Sequence, residues 1–270
     1  MQVNTNALIS IITVSYNSAV TIGRTLESLR QQTDKRFESI VIDGGSKDAT
    51  MEIVKSYADV VIKFISEPDT GIYDAMNKGI TLAEGKYLAF LNSDDAYYAD
   101  TLTSVIAFAK KHNPDIIYGD IQKQRELGQE LLTRNEKPDL HKMPETMGVF
   151  HPATFVKKEL FDKWGGYDLR FKFAADYHWL LRAYVEKADF QYLNKVLVKF
   201  SVGGVSNFSC ESYRECIIIQ EEFHTGHADK MRELYEKCRR KMRKQQIIAV
   251  LVRLPIIRSL YLKRIKKRWN

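Results

Sequence analysis

The sequence predicts an α/β fold: a mostly parallel sheet covered by helices on both faces, followed by a helical, basic C-terminal extension. Three observations predict it. Short β-branched runs alternate with amphipathic segments through the first half. Polar residues able to carry chemistry gather where those runs end. The basic excess is confined to the C-terminal stretch.

The elements follow in order. Leu8 to Ser15 is a β-branched strand, and Ser18 to Gln32 has helical spacing through Val20, Ile22, Leu26 and Leu29. Phe37 to Asp43 is a second strand that ends in Gly44-Gly45, with a helix from about Ser46 for which Asp48 and Thr50 are available as caps. Val60 to Ile65 is a third strand, Tyr73 to Ala83 a helix, Lys86 to Leu91 a fourth strand, Ala99 to Lys111 a helix and Asp115 to Ile121 a fifth strand. The second half is less regular. Gln122 to Met147 reads as loops or a short hairpin, Phe150 to Val156 as a strand, Phe173 to Glu186 as a helix, and Phe190 to Ser201 as a weakly alternating strand before Gly203-Gly204. From Asn207 onward the pattern is helical, and no internal repeat or low-complexity tract interrupts the chain.

With 270 residues, 44% of them hydrophobic, the chain can bury a large core, which excludes a mostly disordered protein. Residues 230–270 hold 15 Lys/Arg against 2 Asp/Glu, whereas residues 1–229 hold 26 against 32. A basic tail on an acidic body suits an anionic surface. Nucleic acid is not an expected partner, because the body is acidic and carries no recognition motif. Cys210, Cys216 and Cys238 show no C-x-x-C spacing, and the N-terminus lacks an export pattern, so reduced cysteines in a cytosol-facing protein are expected.

In a parallel sheet the strand ends share one edge, and ligands bind there. The acidic Asn92-Ser93-Asp94-Asp95 turn leaves the fourth strand, and its adjacent carboxylates repel each other unless a hard cation sits between them. Mg2+ or Mn2+ held by Asp94 and Asp95 would neutralise a departing diphosphate; the alternative is a solvated loop in which Asp94 caps a turn. Asp43 is placed to accept hydrogen bonds from a nucleobase imide or ribose hydroxyl, or else to serve the Gly44-Gly45 turn. Asp69 lies in a Pro-Asp-Thr-Gly sequence that turns in any case, and Lys78 either reaches a phosphate or is a solvated helix lysine. Asp176 is either a helix-start acid favoured by the dipole or a general base. His151 is either a metal or phosphate ligand or a hydrogen-bonded core histidine.

Six segments in order carry a resemblance. They are Ile11 to Asn17 (IITVSYN), Asp43 to Thr50 (DGGSKDAT), Glu67 to Gly79 (EPDTGIYDAMNKG), Leu91 to Asp95 (LNSDD), His151 to Phe155 (HPATF) and Ala175-Asp176-Tyr177. Together they resemble the inverting family 2 glycosyltransferases of the GT-A (Rossmann-like) fold, of the type that builds bacterial surface polysaccharide (O-antigen, capsule, exopolysaccharide). The resemblance runs from about Ser10 to Ser206. It implies that Thr13, Val14, Ser15, Tyr16, Asn17 and Asp43 hold the uridine of a UDP-sugar, with Asp69, Lys78, Asn92 and Ser93 in the same nucleotide site. It implies Mn2+ or Mg2+ on Asp94 and Asp95, and Asp176 as the base that deprotonates a lipid-linked saccharide acceptor. The first position of the family's D-x-D motif is Asn92 here, so a weaker metal dependence is expected.

The implied organisation is a GT-A domain over 1–206, with a nucleotide-sugar half at about 1–121 and an acceptor half at about 122–206, then a helical membrane-associating extension over 207–270. Ile247 to Leu262 is interrupted by Arg253, Pro255 and Arg258 and is shorter than the roughly 20 apolar residues a spanning helix needs. Followed by Lys263 to Trp269, it suits a segment lying on an anionic membrane, which implies a cytoplasmic protein peripheral on the inner face of the cell membrane. A sugar nucleotidyltransferase is the nearest rival, but Val14 to Thr21 has neither the Gly nor the Lys/Arg its phosphate loop needs. A non-catalytic carbohydrate-binding scaffold is disfavoured by intact Asp94, Asp95 and Asp176.

Overall fold

The computed structural model describes residues 8–128, 130–202 and 210–251, with side chains through residue 242. The parallel unit comes first: β1 (Ile9–Ser15), α1 (Ile22–Arg30), β2 (Phe37–Asp43), α2 (Thr50–Ser56), β3 (Val61–Ser66), α3 (Ile72–Leu82) and β4 (Tyr87–Phe90). Then come β5 (Ala96–Tyr97), α4 (Thr101–His112), the hairpin β6 (Ile116–Leu127) and β7 (Glu130–Glu136), β8 (Thr154–Lys157) and α5 (Lys158–Trp164). The described chain ends with α6 (Ala175–Val185), β9 (Phe190–Ser201), α7 (Glu211–Glu222) and α8 (Ala228–Leu251).

One mixed sheet runs β3-β2-β1-β4-β8-β6-β9-β5, with β7 paired to β6. Pairing is parallel through β3-β2-β1-β4 and between β6 and β9. Strand β8 enters antiparallel between β4 and β6, and β5 and β7 pair antiparallel at the margins. Both faces are covered, as the apolar strands require. Ile9 and Ile11 of β1 face α1, α2 and α4 with Val41, Tyr87 and Ala89, whereas Ile12 and Val14 face α3, α5 and α6 with Ile40, Ile42, Leu88 and Phe90. The hairpin expected within Gln122 to Met147 is present, but β6 is longer than the predicted fifth strand, and β5 and α5 had no counterpart in the sequence reading.

The cysteines depart from expectation. Cys210 and Cys238 form a disulfide that ties the start of α7 to the middle of α8, while Cys216 is free. The antiparallel α7–α8 hairpin brings together two residues 28 apart, a pairing no local spacing announces. The argument for a reducing compartment therefore no longer stands on the cysteines. No helix among the described residues is long and apolar enough to cross a membrane. The Gly203-Gly204 loop and residues 252–270, which hold the basic end of the tail, lie outside the described residues.

Strand β2 carries a buried carboxylate at each end. At its start Glu38 accepts from Ser10 Oγ, the Glu84 N–H (2.7 Å) and Lys63 Nζ (3.1 Å), which closes the edge remote from the polar strand ends. Gly85 packs against this knot: a Cβ there would lie 2.6 Å from the Ser10 nitrogen and 2.8 Å from the Ile9 carbonyl carbon. At the other end Asp43, fully buried, takes five donors: Ser15 Oγ (3.1 Å), Ser66 Oγ (2.7 Å), the Gly45 and Ser46 N–H groups (3.1 and 2.9 Å) and Ser46 Oγ. Burial works to raise its pKa, but the bonds from Ser46, Ser66 and Ser15 outweigh it and hold the carboxyl below its ordinary value.

Two outcomes follow. Gly85→Ala pushes a methyl into β1 backbone and should destabilise the fold by about 1–3 kcal/mol in urea unfolding. Asp43→Asn loses charge-assisted acceptors and should destabilise by about 1–3 kcal/mol at pH 7. Because the folded pKa is lowered, the wild-type advantage is full above the unfolded Asp value of about 3.9 and is lost as pH falls through the folded value. Urea midpoints of wild type and Asp43→Asn should therefore converge below about pH 4, and a constant gap would rule out an ionised Asp43 as the source.

Candidate active site

The polar strand ends converge on one edge, as expected, but not every predicted residue faces outward. Thr13 and Val14 are buried inside β1, and Ser15 is spent on Asp43, so among Thr13 to Asn17 only Tyr16 and Asn17 are exposed. Tyr16 is 64% exposed and Asn17 turns the chain at φ 49°. The Asn17 N–H donates to Ser46 Oγ (2.8 Å), Asn17 Oδ1 accepts the Lys47 N–H (2.9 Å), and the Ser18 N–H donates to Thr50 Oγ1 (2.8 Å). The loops after β1 and β2 are thus zipped into one rim. Gly44 sits where the walls approach: a Cβ there would lie 2.6 Å from Asp69 Oδ2 and 3.4 Å from the Tyr16 ring. An exposed aromatic ring and a carboxylate flank this point, while Asp43, its lone pairs filled from within, forms the floor and is not free to bind a nucleotide directly. Lys78 has acidic partners in this structure. Its Nζ lies 2.8 Å from Glu67 and 3.8 Å from Asp74, so acidic neighbours on its own loop and helix hold it.

The acidic turn is latched from two sides. Ser93 Oγ donates to Ser18 Oγ (2.9 Å), and Arg24 Nη2 donates to the Asp94 carbonyl and to Ser201 Oγ (both 2.8 Å). Ser201 Oγ also donates to the Asp94 carbonyl (2.6 Å), and the Ser201 N–H donates to Asp95 Oδ1 (2.9 Å). The two carboxylates sit in different surroundings. Asp95 is 1% exposed, and it pairs with β9 and approaches Tyr97, whereas Asp94 lines a cleft of about 380 Å³. Asp94 thus borders the cleft and Asp95 lies behind it. Burial raises the pKa of Asp94, and burial with the Asp94 charge raises that of Asp95 much further. Asn92 Oδ1 and Asp95 Oδ2 are buried acceptors without partners among the described residues. These residues fit a hard divalent cation that takes one or two protein oxygens and fills its other positions with phosphate and water. Among the described residues no group of three His, Cys, Asp or Glu side chains forms a closed protein cage.

Asp176 occupies the second position of α6. Its Oδ1 accepts from Tyr73 Oη (2.8 Å) and the Tyr177 N–H (2.9 Å), and its Oδ2 has no partner among the described residues. Tyr73 packs against Tyr167 at 5.4 Å between ring centroids, and Tyr167 shares a hydrogen bond of 2.8 Å with His151 Nε2. His151 also stacks on Phe90 at 5.1 Å. Burial lowers the His151 pKa against the pull of Asp176, which keeps the ring neutral. His151 is therefore part of the aromatic cluster around Asp176 and not a ligand beside the acidic turn. Asn77 fixes Tyr167 by bonding both its carbonyl (2.9 Å) and its N–H (2.7 Å).

Several residues that shape the site had no signal in the sequence. Arg24 and Ser201 lie 177 positions apart and meet only in the fold. Tyr167 and Glu215 sit in stretches without a motif, whereas Tyr73 and Asn77 lie inside EPDTGIYDAMNKG, where their roles were not readable. The cleft beside Asp94 is walled by Val20 and Arg24 of the α1 region, Gln124, Glu126 and Leu131 of the β6–β7 hairpin, and Val202.

Known proteins resemble this chain in sequence and in fold. A PGL/p-HBAD biosynthesis glycosyltransferase of Mycobacterium bovis is 35% identical over 207 residues, covering 74% of this chain and 79% of the relative. An uncharacterized glycosyltransferase of Rickettsia typhi is 33% identical over 213 residues, covering 75% and 66%. Residues 1–349 of S. aureus TarS, solved in complex with UDP-GlcNAc, align with a TM-score of 0.66 at 21% identity over 83% of this chain and 70% of that one. This chain spans 42% of the longer TarS chain it also matches. The mannosyltransferase PcManGT of Pyrobaculum calidifontis, in complex with GDP-Man and Mn2+, aligns with a TM-score of 0.61 at 15% identity over 97% and 87%. At these identities the solved structures speak for the GT-A fold alone. The family model for glycosyl transferase family 2 matches residues 10–173, and with that match over more than half its length the chain belongs to this family and is a glycosyltransferase.

Proposed function

We propose that the protein transfers a sugar from a UDP-sugar to a hydroxyl of a saccharide acceptor with inversion, Asp176 acting as general base. The observation that carries this reading is the Asp176 carboxylate, with one oxygen fixed by Tyr73 and Tyr177 and the other left open among the described residues. Tyr73 holds the side chain in one rotamer, and Oδ2 accepts the proton of the acceptor hydroxyl. The acceptor oxygen so deprotonated bonds to the anomeric carbon as the bond to the diphosphate breaks on the opposite face, and UDP leaves with the electron pair. Tyr16 offers a stacking face for uracil and Asp69 an acceptor for its imide N–H, with Gly44 leaving room between them. Asp94, with the Asn92 amide nearby, would hold Mn2+ or Mg2+, whose charge neutralises the leaving diphosphate. UDP-bound TarS and Mn2+-bound PcManGT support these two assignments by likeness of fold.

The acceptor half is assigned to residues 122–206, with Gln124, Glu126 and Leu131 of the hairpin on the wall of the Asp94 cleft. A lipid-linked saccharide in O-antigen, capsule or exopolysaccharide synthesis is the acceptor class proposed. The PGL/p-HBAD biosynthesis relative supports a surface-glycolipid setting. Residues 207–270 are proposed as the extension that brings the enzyme to an anionic inner membrane face. On α8 the acidic partners stop at Glu236, which pairs Arg239, and Arg240 and Lys241 follow on the exposed side.

Three measurements test the reading. UDP should raise the melting temperature far more with Mn2+ than without, and Asp94→Ala should abolish that difference; equal shifts with and without metal would refute the cation site. Asp176→Asn should lower kcat about 10²–10⁴-fold while UDP affinity stays within about twofold. Full-length protein should cosediment with phosphatidylserine vesicles, and a chain ending at Gln245 should not; equal binding by both would sink the membrane assignment.

A further inference from the structure

Glu215 lies on α7, outside the family match, yet its carboxylate closes the start of the helix that carries Asp176. One oxygen accepts the Lys172 N–H (2.8 Å), and the other accepts the Phe173 and Ala174 N–H groups (2.8 and 2.9 Å). Ala174 is the N-cap residue of α6 and makes no side-chain cap bond, so the first turn lacks a cap of its own. A carboxylate supplied from another helix takes the N–H groups of the three residues that lead into α6, and its charge complements the positive end of the α6 dipole.

The brace is rigid. Ile219, one turn beyond Glu215, is fully buried in the core, and Gln220 Nε2 donates to the Glu145 carbonyl and, at 3.4 Å, to Tyr177 Oη. Glu222 pairs with Arg170 at 2.8 Å just before α6. Cys216, beside Glu215, has its thiol pushed up to about 12 by burial and then by the charges of Asp176 and Glu215.

We infer that Glu215 is a positioning residue for transfer: by holding the backbone of residues 172–174 it fixes where the α6 first turn presents Asp176. The inference rests on Asp176 being the base. It places α7 in the catalytic machinery, where the sequence reading had assigned it only to a membrane-associating extension.

A double-mutant cycle in the full-length enzyme tests it, with UDP affinity by calorimetry and kcat from UDP release. Glu215→Ala should lower kcat about 10- to 100-fold, the loss that a displacement near 1 Å brings, with UDP affinity and donor KM within about twofold. Glu215→Gln, which keeps the shape and one carbonyl acceptor, should recover part of the rate. Adding Glu215→Ala to Asp176→Asn should then lower kcat no further. Wild-type kcat in Glu215→Ala, losses that multiply in the double variant, or UDP affinity falling in step with kcat would each overturn the positioning role while leaving the base assignment standing. Wild-type kcat in Asp176→Asn would overturn the base assignment, and the positioning role with it.

Discussion

The Asp43 carboxylate is the constraint on which the donor edge depends. A charge taken fully out of water survives only where its lone pairs are filled, and here donors from β1, β3 and the turn after β2 fill them. The network fixes how far each of three parallel strands runs before its chain turns out. With the ends fixed, Asn17, Ser18 and Ala19 meet Ser46, Thr50 and Asp48, and the rim closes without any ligand. For the nucleotide proposed to bind there, the Tyr16 ring and the Asp69 carboxylate already stand on either side of Gly44, so little ordering would remain to oppose binding.

The parallel half was legible because each strand is a short β-branched run ended by Gly or by a polar cluster, and both faces alternate apolar side chains. The reading thinned where structure is set by partners remote in sequence. Strand β5 is two residues long and exists because Ala96 and Tyr97 meet β9. Cys210 finds Cys238 only because α7 and α8 fold back on each other. Within the proposed site, Asp94 and Asp176 are singled out by position: the first follows a buried strand, the second opens a helix. Thr13 and Val14 were placed one step too far outward, because a strand-end motif does not say which residue is the last inside the sheet. The ion pairs of Lys78 were missed for a different reason. A lysine on α3 four residues after Asp74 and facing Glu67 has its partners already. His151 looked like a ligand by type, but its stack on Phe90 and its bond to Tyr167 are tertiary facts.

The two carboxylates proposed to act in transfer stand on separate supports. The turn bearing Asp94 is held by Arg24 from α1 and Ser201 from β9, with Ser93 bridging to the loop after β1. Asp176 is held by Tyr73 from α3, by its own helix start, and behind that by Glu215 from α7. No hydrogen bond among the described residues joins one set directly to the other. Donor capture and acceptor deprotonation are then separable by mutation, since a fault in the α6–α7 mount leaves the Asn92-to-Asp95 turn undisturbed. The same latch sets Asp94 apart from Asp95. It takes one oxygen of Asp95, while Asp94 lines the cleft, where the cation proposed on the diphosphate would use its charge.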